Sequence, residues 1–339
     1  MERSVLGKTG IEVNRLGFGG IPIQRVTEKE AIETVFHAVE RGVDFIDTSR
    51  AYATSERRIG KALGQTDRRV VVASKSQGKT SDAARADLER SLRELQRDSI
   101  DLYQCHFVRD TEDYERVISP EGAYWGLIRA KQEGLIQHIG ITSHSLDLLN
   151  RVIDDGLFET IMVCFSFLEP LAAEEIIPKA IQRGVGVIGM KPFSGGVIDK
   201  ASLALKYVLS QPGIVILAGV ENTRLFDENW EVFQGTHKLD TGEREEIERI
   251  RELYGKTFCR RCDYCQPCTE DIPIQIILGI RSIVKRMGKD ALTGPWLVKA
   301  IDKARGCSEC GECALKCPYG LPIPELIREN LKWVEQQLN

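Results

Sequence analysis

The stretch TEKEAIETVFHAVERGVDFIDTSRAY (27–52) holds the unit from which the fold is read. Its first part is a helix with both ends marked. Thr27 and Glu30 have the spacing of a capping box, Ala31, Val35 and Val39 recur at helical intervals, and Gly42 supplies a stop. VDFIDT (43–48) is too short for a typical helix and apolar enough for a strand covered on both faces. Seven similar runs appear: RLGFGG (15–20), RVVVASK (69–75), IDLYQCH (100–106), IQHIGIT (136–142), TIMVCFS (160–166), VGVIGMK (185–191) and GIVILAG (213–219). Helical patterns lie between them, among them SDAARADLERSLRELQ (81–96), with Leu88, Leu92 and Leu95 along one face. Eight strands alternating with helices predict an α/β fold, a (β/α)8 TIM barrel rather than an open sheet.

With 339 residues, 42% hydrophobic, the chain is long enough for one large domain and a small appendage. A net charge of −4 without a basic block argues against nucleic acid or an anionic membrane as partner. The start MERSVLGKTG lacks the apolar core of a signal peptide, and no apolar run approaches spanning length. The expected location is cytoplasmic, where clustered thiols are metal ligands more often than disulfides. GVGVIG (184–189) imitates the glycine fingerprint of dinucleotide-binding folds, but it follows a helix and is itself a strand. SQGKT (76–80) lacks the leading glycine of a phosphate loop.

Three parts are expected: a barrel over 1–235, a connecting helix over 236–256 and a small, mainly helical domain over 257–339. The connecting helix places Ile247, Ile250 and Leu253 on one side. Further helical stretches are expected near 272–286 and 295–304. The last helix has Pro324 near its start and Ile327, Leu331, Val334 and Leu338 on one face.

In such a barrel, residues at the carboxyl ends of strands face the active site. Those ends bring Asp47, Tyr52, Lys75 and His106 to one rim. Taken singly, each has an ordinary reading as a helix cap, a packed ring, a solvated end or a bonded core residue. Together they make chemical sense. A tyrosine is a poor acid unless its anion is stabilised; a nearby ammonium does so, and a carboxylate fixes the ammonium. His106 can orient or polarise a carbonyl oxygen held against the tyrosine.

Over roughly residues 4–233 the chain resembles the aldo-keto reductases. The resemblance rests on LGKTGIEVNRLGFGG, GVDFIDTSRAYATSERRIGKAL, VVVASK, IDLYQCH, IQHIGITSHS and FDENWEVF. It implies Tyr52 as proton donor, Lys75 and Asp47 as its assistants and His106 beside a small-molecule carbonyl or alcohol. It also implies NADP, or NAD, lying across the strand ends. Ser143 and His144 stand where the family has Ser-Asn against the nicotinamide carboxamide, and Met162 stands at its glutamine. Met190, Lys191, Pro192, Phe193 and Gly195 fall on the diphosphate side. Gly219 and Arg224 fall near the 2′-phosphate, and Glu228 and Asn229 at the adenine. The loops do not name a substrate; Tyr124 and Trp125 of VRDTEDYERVISPEGAYWG (108–126) either line a pocket or pack on the surface.

Two cysteine runs follow, CRRCDYCQPC (259–268) and CSECGECALKCP (307–318). The second has the C-x2-C-x2-C-x3-C-P form of bacterial ferredoxins; the first is one residue shorter before its last cysteine. The region resembles dicluster ferredoxin domains, in which the fourth cysteine of each run ligates the other cluster. This implies one [4Fe–4S] cluster on Cys259, Cys262, Cys265 and Cys317, and another on Cys268, Cys307, Cys310 and Cys313. Cys105 and Cys164 lie within strands as core residues. A nicotinamide moves two electrons and a cluster one, and no flavin motif links them. Three readings stand: a nicotinamide-dependent carbonyl oxidoreductase with clusters for electron transfer, docking to a redox partner protein or stability; an electron-transfer protein whose barrel turns over no nicotinamide; and a zinc-stapled barrel.

Overall fold

In the computed structural model, which describes residues 2–338, the eight apolar runs form parallel strands. These are β1 (Leu16–Gly19), β2 (Phe45–Asp47), β3 (Val71–Ser76), β4 (Ile100–Cys105), β5 (Ile136–Thr142), β6 (Thr160–Cys164), β7 (Gly186–Met190) and β8 (Ile214–Gly219). They close a barrel in chain order, with β8 pairing back onto β1. The helices of the barrel part are α1 (Glu28–Arg41), α2 (Ser55–Leu63), α3 (Ser81–Leu95), α4 (Thr111–Ile118), α5 (Ala123–Gln132), α6 (Leu146–Asp155), α7 (Ile176–Arg183), α8 (Ala201–Leu209) and α9 (Thr223–Gln234). At α1 both halves of the capping box form between Thr27 and Glu30, and Gly42 ends the helix with a left-handed φ of 115°.

Two apolar layers hold the barrel. Outward-facing strand residues pack under the helices: Ala31, Val35 and Val39 of α1 and Leu88 and Leu95 of α3 are buried there. Inside, Phe45, Ala73, Leu102, Met162, Ile188 and Val215 fill the lumen together with Leu6 and Val13. Leu6 and Val13 belong to an N-terminal stretch whose strands, Arg3–Val5 and Glu12–Asn14, form an antiparallel ribbon. Between those strands Gly7 bridges Val185, the residue before β7 begins. Gly7 has φ +56°, and a Cβ there would lie 2.4 Å from the Gly186 nitrogen, so only glycine fits. The ribbon therefore closes the amino end of the barrel. The carboxyl ends of the strands remain for chemistry.

Residues 239–338, with 167–169 and 194–199, form a second compact unit; the rest of the chain forms the first. The second contains α10 (Thr241–Gly255), α11 (Ile274–Leu278), α12 (Ile280–Met287), α13 (Pro295–Arg305), α14 (Glu312–Leu315) and α15 (Ile323–Leu338). α10 starts on an Asp240–Glu243 capping box and buries Ile247 and Ile250. Leu253, expected on the same face, is 62% exposed. Ile274, Ile277, Leu297, Ile301, Ile327 and Val334 build the core of this unit, and most of the clustered cysteines pack against it. On α15, Leu338 is exposed, because the helix outlasts the core beneath it. No helix among the described residues is long and apolar enough to cross a membrane.

Candidate active site

Strand register brings three of the four rim residues together. Asp47 ends β2, Lys75 is the penultimate residue of β3 and pairs with Gln104 of β4, and His106 follows β4 directly. Tyr52 lies in the loop between β2 and α2. The Lys75 Nζ sits 2.6 Å from Asp47 Oδ2 and 2.6 Å from the Thr48 carbonyl oxygen. It also lies 4.9 Å from the centre of the Tyr52 ring and hydrogen-bonds to that side chain. Burial pulls the Lys75 ammonium down, but Asp47 and Tyr52 outweigh it, and its pKa is raised. Burial pushes the Asp47 carboxyl up, against the pull of Lys75 and Gln104. The side chains of Lys75 and Asp47 are almost fully buried, so removing either would leave a lone charge at a cost of about 3–5 kcal/mol.

His106 stands edge-on to Tyr52, with ring centres 5.8 Å apart. Its Nδ1 is 2.9 Å from Ser49 Oγ, whose distance to the Lys75 carbonyl oxygen is 3.3 Å. Burial, reinforced by Lys75, Lys79 and Lys191, holds the His106 pKa well below 6.5, so the ring is neutral at pH 7. With the serine proton given to the shorter contact, Nδ1 accepts and the single ring N–H sits on Nε2. That N–H is the donor a substrate oxygen needs.

The depressed imidazole has a consequence for stability. Below pH 6.5 the unfolded chain protonates this histidine while the folded protein still resists, so acidification favours unfolding. The stability difference between wild type and His106→Gln should therefore shrink as pH falls from 7.5 to 5.5. Each unit of depression corresponds to about 1.4 kcal/mol. Denaturant melts at several pH values check this, and a difference independent of pH would contradict it.

Ser49 and Gln104 escaped the reading of the sequence. Gln104 is fully buried and its Nε2 lies 3.3 Å from Asp47 Oδ1, so both carboxylate oxygens are held. Its signal was the strand alternation, which turns Leu102 and Gln104 to the same side of β4. Ser49 carried no signal beyond lying between Asp47 and Tyr52.

The other rim positions divide. His144 Nε2 is 2.8 Å from Lys191 Nζ, and its ring meets Phe107 edge-on. Lys191 has a left-handed φ of 61° just before Pro192, and Phe193 packs against the outer core. The Ser143 hydroxyl donates to the Val108 carbonyl oxygen at 2.7 Å, and the Ser143 amide reaches the Met162 carbonyl oxygen at 3.3 Å. Met162 is buried in the lumen core, with Met190 packed beside that core. Gly219 ends β8 against Pro22, where a Cβ would lie 2.9 Å from a ring carbon. Gly195, in the second unit, accepts a hydrogen bond from Ser282 at 2.8 Å. Arg224 and Glu228 pair at 2.5 Å on the exposed face of α9, beside a buried Asn229. Tyr124 and Trp125 are not rim residues: both sit on α5, where the Tyr124 hydroxyl donates to the Leu157 carbonyl oxygen and Trp125 to that of Ile118.

In the second unit, the cysteines line two cavities. One is bordered by Cys259, Cys262, Cys265 and Cys317. The other is bordered by Cys268, Cys307, Cys310 and Cys313, and also by Cys265. The first draws three cysteines from the earlier run and one from the later; the second draws three from the later run and two from the earlier, Cys265 lining both. The two loops also share a backbone. Arg261 and Asp263 have φ of 60° and 64°, and the corresponding Glu309 and Gly311 have 52° and 79°. Alternating left-handed residues turn successive N–H groups inward into an anion-holding nest. One such group, on Arg261, donates to Cys259 Sγ at 3.4 Å. Among the described residues, no three His, Cys, Asp or Glu side chains converge as they would around a single metal ion. Cys105 and Cys164 are buried in β4 and β6, away from both cavities.

Comparison with known proteins adds an independent finding. The sequence model described as "Aldo/keto reductase family" matches residues 15–202. The chain is similar to L-galactose dehydrogenase of Arabidopsis thaliana, 30% identical over 219 residues, or 59% of this chain and 68% of that one. An uncharacterized oxidoreductase of Bacillus subtilis is 28% identical over 234 residues, covering 60% of this chain and 70% of its own. Among solved structures, the holo form of an aldo-keto reductase from Bacillus halodurans matches with a TM-score of 0.63 at 24% identity. That match covers 74% of this chain and 96% of the other, and at this identity it speaks for the fold alone.

Proposed function

The chain belongs to the aldo/keto reductase family and is an oxidoreductase of that type; from this premise we propose that its barrel reduces a small carbonyl compound with a nicotinamide cofactor, or runs the reverse alcohol oxidation. The buried Asp47–Lys75 pair beside Tyr52 carries this reading. When bound, the nicotinamide supplies the hydride. Tyr52 gives its hydroxyl proton to the carbonyl oxygen, and Lys75 stabilises the phenolate left behind. Asp47, gripped by Gln104, holds Lys75 in place, and the Nε2–H of His106 orients the carbonyl. The residues present fit such a cofactor. The Lys191 ammonium, which donates to His144 Nε2, has further N–H donors to offer, and the N-terminus of α9, opening after Asn222, suits an anionic group.

We assign the 2′-phosphate to Arg224, the basic residue in the first turn of that helix. Arg224→Ala should weaken NADPH binding more than NADH binding, although Glu228 already neutralises part of the arginine charge. Titration of wild type and variant with both nucleotides tests this; equal losses would remove Arg224 from the role. A second reading, an electron-transfer protein with no nicotinamide turnover, is favoured by one observation. Met162 fills the lumen core where the resembled family holds an amide. A wild type that binds neither nucleotide would decide for it.

The cysteine cavities are proposed to hold two [4Fe–4S] clusters with crossed ligation, Cys259, Cys262, Cys265 and Cys317 for one and Cys268, Cys307, Cys310 and Cys313 for the other. Supporting this are the ferredoxin spacing, the lining of each cavity and the shared loop backbone. Such clusters accept and release electrons one at a time. The residues fit: each cavity is lined by at least four thiols.

A further inference from the structure

The two cysteine loops share a backbone but not a charge. Aligned on their first cysteines, Arg260 and Arg261 of one correspond to Ser308 and Glu309 of the other, and Tyr264 corresponds to Glu312. Arg260 and Asp263 line the first cavity. The Arg260 guanidinium is fixed there, 4.3 Å over the Tyr319 ring and bonded to the carbonyl oxygens of Gly255 and Phe258 at 3.1 and 3.0 Å. Arg261 is neutralised by Glu169 through two contacts of 2.8 and 2.9 Å, so it contributes mainly its backbone bond to Cys259. A second backbone donor, Tyr264, reaches Cys262. Around the second cavity the charges are Glu270, Glu309 and Glu312, with no basic residue in the lining. Their partners, Arg328 for Glu309 and Lys316 for Glu312, lie in exposed pairs weakened by solvent.

From this we infer that the two cavities differ in reduction potential, with the Cys268–Cys307–Cys310–Cys313 cavity the lower. The inference rests on the two-cluster reading above. Potentials follow net charge, hydrogen bonds to sulfur and solvent exposure. Three carboxylates disfavour the added electron in the second cavity, where one N–H···S bond reaches sulfur, from Ala314 to Cys313; in the first, Arg260 offsets the single carboxylate of Asp263, and two N–H···S bonds favour the electron. Exposure works the other way, since water stabilises the more negative reduced form and Cys310 is exposed. Cys265 of the first cavity is buried, so solvation narrows the gap, but three carboxylates against one keep its direction. A single electron given to the pair settles in the first cavity.

The test is a dithionite titration of the full-length protein, prepared anaerobically, with cluster reduction followed by electron paramagnetic resonance. Dithionite is oxidised and each cluster takes one electron. Two separate steps are expected. Cys310→Ser should alter or remove the lower step only, and Cys262→Ser the higher only. The triple variant Glu270→Gln/Glu309→Gln/Glu312→Gln should raise the lower step and leave the higher in place, narrowing the gap. Arg260→Gln should lower the higher step, an independent check should the triple variant not fold. The inference is overturned if the lower step follows Cys262, or if neither charge change moves its assigned step. Zinc without any cluster signal would instead remove the two-cluster reading itself, an outcome distinct from clusters present in the reverse order.

Discussion

Tyr52→Phe is expected to slow carbonyl reduction by about 10²–10⁴-fold, the usual contribution of general acid catalysis, while nucleotide affinity stays close to wild type. The substitution removes one oxygen and keeps the ring. The ring's contacts with Lys75 at 4.9 Å and with His106 at 5.8 Å survive it, so the rim should hold its shape. The Asp47–Lys75 pair also survives, because its two shortest bonds go to Asp47 and to a backbone oxygen. What disappears is the proton. Lys75 cannot replace it, since its ammonium is held protonated by the groups around it, and neutral His106 is a far weaker acid than an imidazolium. Single-turnover decay of nicotinamide absorbance, run beside a nucleotide-binding titration, separates the two effects. A phenylalanine variant with most of its activity would place the proton donor elsewhere. A variant that loses nucleotide binding in parallel would make Tyr52 a structural residue.

The barrel was legible because burial on both faces leaves a coarse mark. A strand hidden between lumen and helices has to be a short Val- and Ile-rich run, and eight such runs stand out at regular intervals. Asp47, Lys75 and His106 were legible for a related reason, since polar residues at the ends of such runs have few structural uses. Gln104 was not, because one amide inside a strand looks like a tolerated exception until Asp47 Oδ1 appears beside it. Leu253 and Leu338 show a different limit. Helical periodicity names a face but not how far the opposing surface extends, and both leucines are more than half exposed. Tyr124 and Trp125 kept their two readings open until the chain at 123–132 proved to be a helix, on which neither ring belongs to a strand end. Cysteine spacing groups three thiols of a run but cannot say where the fourth goes. The resemblance implied the crossing, and the fold lines one cavity with Cys317 together with Cys259, Cys262 and Cys265.

That placement leads to the other large expected effect. Protein prepared without oxygen should carry about eight iron and eight acid-labile sulfide per chain, four of each per cluster. Cys317→Ser should remove or destabilise about four of those irons, and they should be the four held mainly by the first run, although Cys317 belongs to the second. Cys268→Ser should act on the other four. The physical ground is the lining of the cavities. Cys317 completes the wall formed by Cys259, Cys262 and Cys265, and Cys268 completes that formed by Cys307, Cys310 and Cys313. Cys262 is close enough to Cys317 for their charges to interact, and Cys313 likewise to Cys268. Cys105→Ala provides the control, because Cys105 is buried in β4 and should leave the iron content unchanged. Iron and sulfide assays with spectroscopy on each variant read the result. Loss confined to the run that carries the substitution would defeat crossed ligation. Stoichiometric zinc without sulfide would defeat the clusters altogether. The shortened spacing before Cys268 is where the arrangement is most exposed to refutation. In ferredoxin-type runs a third intervening residue carries the last cysteine across to the other cluster, and here two residues, Gln266 and Pro267, must bring Cys268 to the second cavity.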